Sequence, residues 1–284
     1  MNLKIAPVNK PILLGPSHSA GCRLIAIAIL IIVHTARIEA NPGPLVPTTI
    51  GPTGGFGVPS PLTMPPERTA VAVHFEAFNQ FSESTLDIEP TVHMSPKVVV
   101  GIYDYLEVGL EKTFKIHSEN EQETIYANIK YRFPFDSMNV AVGAIVPLTP
   151  PDWTSAYMVM GWKALWAGFG VNLGGRRFRE LTLNNFQSVG VARMGGYTLR
   201  RRVVDGSDQF TGEPDAFFGL VGFNHRLGKH LEVVADYNGD RVSAGFRIPF
   251  HSWNVDLIYV SQAATDSLFS RETQNYQIGV TGRF

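Results

Sequence analysis

From Thr69 to Phe284 the chain alternates apolar with polar or small residues, in segments of about eight to twelve, and this period of two restricts its fold more than any other feature. Such alternation gives every strand two unlike faces. In the last segment Tyr276, Ile278, Val280 and Phe284 share a face with Gly282, opposite Asn275, Gln277, Gly279, Thr281 and Arg283. Ile125, Ala127, Ile129, Tyr131 and Phe133 likewise oppose Tyr126, Asn128, Lys130 and Arg132. The pattern predicts about twelve strands, over 69–80, 91–102, 105–114, 122–133, 138–147, 154–162, 166–174, 215–226, 230–238, 241–248, 252–261 and 274–284.

Alternation alone also suits a soluble β-sandwich or a lipocalin-like barrel, so the spacing of turns has to decide. Tight turns near Tyr103 and Asp104, 134–137, 163–165, 227–229 and 250–252 alternate with longer connections, except at Gly239 and Asp240. Short turns at one end and long loops at the other characterise outer-membrane barrels. With both chain ends of the barrel in the periplasm, all five tight turns fall on the periplasmic side. Tyr103, Tyr105, Phe133, Phe135, Trp162, Trp166, Phe250, Trp253 and Phe284 gather beside these turns, where an interfacial girdle belongs. Lipid offers a free strand edge no hydrogen-bond partner, so the sheet has to close on itself. The expected fold is all-β: a single antiparallel transmembrane β-barrel of about twelve strands (10–14), closed by the C-terminal strand, with apolar residues toward lipid and polar ones toward the lumen. The expected location is the bacterial outer membrane, with its lipid and lipopolysaccharide as surroundings.

The amino-terminal residues fit that route. Lys4, Lys10 and Arg23 precede the apolar run from Leu24 to Val33, which is too short to span a bilayer and has the layout of a secretory signal. Residues 1–40 are therefore expected to be a signal peptide, with processing after Ala40. The only cysteine, Cys22, lies within it, so the processed chain would hold no disulfide or cysteine-based metal site. Residues 41–68, rich in Pro and Gly and without a steady period, read as a periplasmic lead-in, an extended linker or plug-like segment. The barrel proper is 69–284, with a long extracellular loop over about 175–214. A further hairpin, 186–193 with 197–204, is the alternative for that loop. A net charge of −1 argues against a nucleic-acid partner held by phosphate contacts.

The C-terminal residues Asn275 to Phe284 (NYQIGVTGRF) resemble the signal that outer-membrane barrels present to their barrel-assembly machinery. The resemblance gives Tyr276, Ile278, Val280 and Phe284 that role. Gly51 to Gly54, Tyr103 to Leu110 and Leu231 to Arg247 look like stretches of the YjbH-like barrels linked to exopolysaccharide production. That likeness covers about three fifths of the chain, and the chain is long enough for only one barrel. It implies a cell-envelope role in secreting or retaining polysaccharide and supplies no catalytic residues.

Inward-facing charges form the candidate site: Glu107, Lys130, Arg132, Glu232, Asp236, Arg241 and Arg247. On the two adjacent strands 230–238 and 241–248, opposite charges are expected to pair across the hairpin, either filling a narrow lumen or sorting solutes. In the long loop Arg176, Arg177, Arg179, Arg193, Arg200, Arg201 and Arg202 would attract an anion, with acidic polysaccharide as the natural partner outside the cell. The histidines show no metal-ligand spacing, and no nucleophile elbow, phosphate loop or zinc motif is present, so no cofactor, metal or catalytic residue is assigned. The expected function is a pore or a surface-polysaccharide-associated protein of the envelope. The alternatives are a barrel enzyme of lipase or protease type and a secreted carbohydrate-binding sandwich.

Overall fold

The computed structural model describes residues 45–82, 87–116, 124–136, 138–149, 154–162, 164–173, 194–195, 197–204, 207–262 and 274–284. The expected signal peptide over 1–40 lies outside these residues, as do Arg176, Arg177, Arg179 and Arg193. Fourteen strands follow one another: β1 Thr69–Ser82, β2 Asp87–Tyr103, β3 Leu106–Lys115, β4 Thr124–Phe133, β5 Asn139–Pro147, β6 Thr154–Trp162, β7 Leu165–Leu173, β8 Tyr197–Val204, β9 Ser207–Pro214, β10 Phe217–Leu227, β11 Leu231–Tyr237, β12 Arg241–Phe250, β13 Trp253–Gln262 and β14 Gln274–Arg283.

Twelve of them form a closed antiparallel barrel, and β8 and β9 form a separate two-stranded sheet. The long loop thus carries a hairpin, but Tyr197–Val204 pairs forward with Ser207–Pro214 and adds no strand to the barrel. β14 closes the ring against β1 with Ala70 opposite Arg283 and Val73 opposite Val280. At the end of this seam the backbones of Thr69, the first residue of β1, and Phe284, just past β14, exchange two hydrogen bonds, of 3.1 and 2.8 Å. This seam satisfies the backbone groups that would otherwise form two free edges.

Connections follow the expected parity. The turns β2 to β3, β4 to β5, β6 to β7, β10 to β11 and β12 to β13 lie at the end that holds Thr69 and Phe284. The longer connections, and the short β11 to β12 turn, lie at the other. In that short turn Asn238 Oδ1 accepts from the N–H of Asp240 at 3.2 Å and of Arg241 at 2.9 Å. Gly239 between them has φ +97°, a conformation that costs a glycine nothing.

The sheet is inside out relative to a soluble barrel. Phe169, Val221, Phe246, Leu257, Ile278 and Val280 lie exposed on the outer face, while Lys97, Glu107, Lys130, Glu232, Arg247 and Asp256 are buried inside. The outer girdle contains Tyr103, Phe135, Trp162, Phe250, Trp253 and Phe284, all exposed, with half-buried Phe133 beside them. Trp166 departs from the expected girdle. It turns inward and is 6% exposed, because Gly222 on the neighbouring strand leaves its indole room: a Cβ there would sit 2.1 Å from the ring.

Candidate functional site: the lumen and the segment inside it

The lumen has two unlike walls. On β4 to β7 and β10 it is apolar: Tyr126, Ile145, Tyr157, Val159, Trp166 and Phe218 form one cluster. On β1 to β3 and β11 to β14 it is ionic, with His74, Glu76, Lys97, Glu107, Glu111, Asp236, Arg247 and Asp256 all buried.

Residues 45–64 lie between these walls. Within the Pro- and Gly-rich stretch 41–68, this segment has the plug-like placement. It folds on itself: the Thr49 N–H donates to Phe56 O at 2.6 Å, Gly54 to Val46 O at 2.9 Å and Ser60 to Thr53 O at 3.0 Å. Ile50 and Val58 pack into the apolar wall, and Phe56 packs with Val234, Ile258 and Val260. Its backbone is bonded by the ionic wall. Lys97 Nζ donates to the carbonyls of Thr48 and Thr49 at 3.1 and 2.8 Å. The Glu107 carboxylate accepts from the N–H of Thr53 at 2.9 Å, from its hydroxyl at 2.7 Å and from the N–H of Met64 at 2.8 Å. Lys130 Nζ reaches Thr53 O at 2.7 Å. Asp236 Oδ2 accepts three successive N–H groups, from Phe56, Gly57 and Val58, at 2.6, 2.8 and 3.2 Å. Arg247 donates to the carbonyls of Gly54 and Gly55 at 3.2 and 3.1 Å, and its guanidinium lies 5.6 Å from the Phe56 ring centre.

The inward residues expected from the sequence are thus inside, but their pairing differs from the expected one. Glu232 and Asp236 do not pair with Arg241 and Arg247 across the β11 and β12 hairpin. Glu232 stands opposite Arg247 in register, yet Arg247 turns to Asp256 on β13, with bonds of 2.9 and 3.1 Å. Asp236 stands opposite Ser243 and turns to the inserted backbone. Arg241 reaches Glu76 on β1 at 3.4 Å, and Glu107 pairs with Lys130 at 2.9 Å. Arg132 stands at the tight-turn mouth, 5.1 Å from the Tyr105 ring centre. Four charged groups central to the arrangement, Glu76, Lys97, Glu111 and Asp256, were not expected from the sequence. Period two places each on the inner face: Lys97 and Glu111 stand opposite each other on β2 and β3, Asp256 stands opposite Arg247, and Glu76 finds its partner Arg241 across the closing seam.

Arg200, Arg201 and Arg202 lie on β8, at the long-loop end, opposite Thr211, Phe210 and Gln209 of β9. Tyr276, Ile278 and Phe284 are exposed on the outer face of the closing strand and its end, with Val280 in line.

No family model and no curated protein matches the chain. Solved structures are similar to it at low identity. The outer membrane phospholipase dimer of Salmonella typhi with bound calcium is 10% identical at a TM-score of 0.40, over 78% of this chain and 92% of that one. An outer membrane channel from Pseudomonas putida F1 is 9% identical at 0.40, over 87% and 100%. The translocator domain of the autotransporter NalP from Neisseria meningitidis is 10% identical at 0.32, over 94% and 97%. These neighbours are bacterial outer-membrane β-barrels, and their separate activities do not transfer to this chain.

Proposed function

We propose that the chain is an outer-membrane barrel acting as a pore, and that residues 45–64 are its built-in plug. The observation that supports this reading is how the ionic wall is satisfied. Lys97, Glu107, Lys130, Asp236 and Arg247 bond to backbone N–H and C=O groups of the inserted segment, which occupy the places water would take in an open lumen. A barrel whose interior is permanent filler is better served by apolar side chains, because buried charges bring a desolvation cost that packing avoids. Charges that alternate between dry and wet surroundings need partners of this exchangeable kind. With the segment withdrawn, the same side chains line a charged passage of the sort that selects solutes.

A reversible lock tests the reading. A Cβ built on Gly57 lies 3.7 Å from Ser243 Oγ and meets nothing closer than 3.5 Å, so a cysteine has room there beside position 243, and Gly57→Cys with Ser243→Cys is the pair chosen for the lock. Cys22 is replaced by Ser to leave this pair alone. In planar bilayers the oxidised protein is expected to be silent, and reduction is expected to give discrete, ion-selective steps. Equal conductance in both states, or silence in both together with silence of plug-weakened variants, would remove the pore.

The exposed outer face suits membrane lipid as its medium, and the outward residues of β14 suit recognition by barrel-assembly machinery. Lipopolysaccharide and anionic polysaccharide are proposed partners at the long-loop end, on the strength of Arg200, Arg201 and Arg202 lying together on β8. Neutralising the three together is expected to abolish anionic-glycan binding while the barrel stays folded.

A further inference from the structure

Along the lumen the buried bases have carboxylate partners, whereas cations gather at the tight-turn mouth. Inside, Lys97, Lys130, Arg241 and Arg247 each have a carboxylate oxygen within 3.2, 2.9, 3.4 and 2.9 Å. At the mouth, a cavity of about 520 Å³ is lined by Arg226, Lys229, His230, His251 and Arg283, with Pro249 and Phe250, and none of the described residues lining it is acidic. Its size lies within the ~300–1,000 Å³ of ordinary small-molecule sites. It adjoins a larger cavity of about 740 Å³ through the shared His251 and Arg283. That larger space adds Arg68 and Arg132 against Asp104 and the terminal residue Phe284.

The arginine hydrogen bonds at this rim go to neutral groups, and Glu232 offsets part of the charge of Arg226 and Arg283. Arg226 Nη2 donates to Lys229 O at 3.1 Å, and Arg283 Nη2 donates to His251 O at 3.2 Å; both acceptors are neutral carbonyls. The carboxylate facing this side from β11 is Glu232, the register partner of Arg226. It is fully buried, and its Oε2 accepts from Asn224 at 3.5 Å. Arg283 also holds its Nε buried with no acceptor among the described residues. A buried donor left unmade is costly, so this arginine is not an ordinary solvated surface charge. Like charges lining one recess repel one another, and an anion bound among them lessens both costs.

We propose that this recess binds a multiply charged oxyanion of the phosphate or phosphate-ester class. Guanidinium forks match phosphate oxygens in pairs, and the three permanent cations Arg226, Lys229 and Arg283, with His251 beside them, can surround one dianion. Arg226 and Lys229 come from the β10 to β11 hairpin, His251 from the β12 to β13 turn, and Arg283 from the last strand. No described residue of the plug lines the smaller recess, although Leu45, Leu62, Thr63 and Met64 line the larger cavity beside it, and binding there needs no open pore.

The test uses the full chain in nanodiscs of phosphatidylcholine, titrated calorimetrically with pyrophosphate. One saturable site per barrel is expected, weakened by added salt. Arg226→Gln with Lys229→Gln, both at exposed positions, is expected to weaken binding about tenfold or more. The heat-modifiable migration of the folded barrel on gels checks that the variant is intact, and Arg226→Lys is expected to keep most of the affinity. A second set of discs contains phosphatidylglycerol. Loss of pyrophosphate binding there assigns the site to a lipid headgroup phosphate, and its persistence assigns it to a soluble phosphate; either supports the proposal. Absence of binding in phosphatidylcholine discs, or equal binding by the double variant, overturns it. Neither outcome depends on conductance, so the pore and the anion site fail separately.

Discussion

Asp236→Ala isolates the strongest single link between wall and plug. One carboxylate oxygen accepts the N–H groups of Phe56, Gly57 and Val58, the shortest at 2.6 Å, in a fully enclosed place. Hydrogen bonds to a charged group contribute about 1.5–3 kcal/mol each, so three independent ones would exceed about 4.5 kcal/mol. They share one acceptor, and water refills part of the space left by the side chain, so additivity fails; about 3 kcal/mol is the reasonable loss. At about 1.4 kcal/mol per tenfold, that raises the undocked fraction of the plug by about two orders of magnitude. The assay is maleimide labelling of Ser60→Cys, a plug position that is 8% exposed, in a chain lacking Cys22. Labelling in the Asp236→Ala background is expected to be about a hundredfold faster, with Asp236→Asn between the two because its carbonyl still accepts. Unchanged labelling of a barrel that still shows its heat-modifiable shift would refute the reasoning.

Other consequences are open to measurement. Arg247→Met strips Asp256 of a bidentate partner and is expected to cost about 3–5 kcal/mol in urea unfolding, and Arg247→Met with Asp256→Asn should recover much of it. Leu257→Arg places a charge midway along the outer face, beside Phe246 and Ile278, and should lower insertion into liposomes by the ~2–4 kcal/mol of a midplane arginine. A sheet with water on that face would tolerate it. Gly222→Ala drives a methyl into the Trp166 ring and should destabilise by about 1–3 kcal/mol, with Trp166→Leu as the rescue, followed by tryptophan fluorescence.

The strand framework was legible because one physical rule governs each residue of a two-faced strand. Val242, Ala244 and Phe246 oppose Arg241, Ser243 and Arg247 in the sequence, and the same split separates outer from inner face in the barrel. Parity of the turns followed from antiparallel pairing alone. Trp166 broke the rule for a reason that lies on another strand, since nothing near it in the chain announces that Gly222 will stand beside it. Pairing of the inner charges follows register in three cases, Lys97 with Glu111, Glu107 with Lys130 and Arg247 with Asp256, each directly opposite on adjacent strands. Arg241 reaches Glu76 on the far side of the closing seam, which no single hairpin of the sequence displays.

The plug was the least legible part, and the cause is chemical. Its attachment to the ionic wall uses backbone N–H and C=O groups, which every residue carries and which leave no trace in hydrophobic period or charge pattern. What the sequence does show is the complement: a wall with more inward charges than ion pairs can absorb. Asp236 is the clearest case, a buried carboxylate that accepts the amides of Phe56, Gly57 and Val58 besides the Ser243 hydroxyl, and Lys97 reaches two carbonyls besides Glu111. A lumen that keeps such groups needs either water or a strip of backbone to satisfy them. A Pro- and Gly-rich segment free of helix and strand has that strip to give, because its amides are not already committed to a ladder. The composition of residues 45–64 and the charge of the wall are therefore two halves of one arrangement, each unexplained without the other.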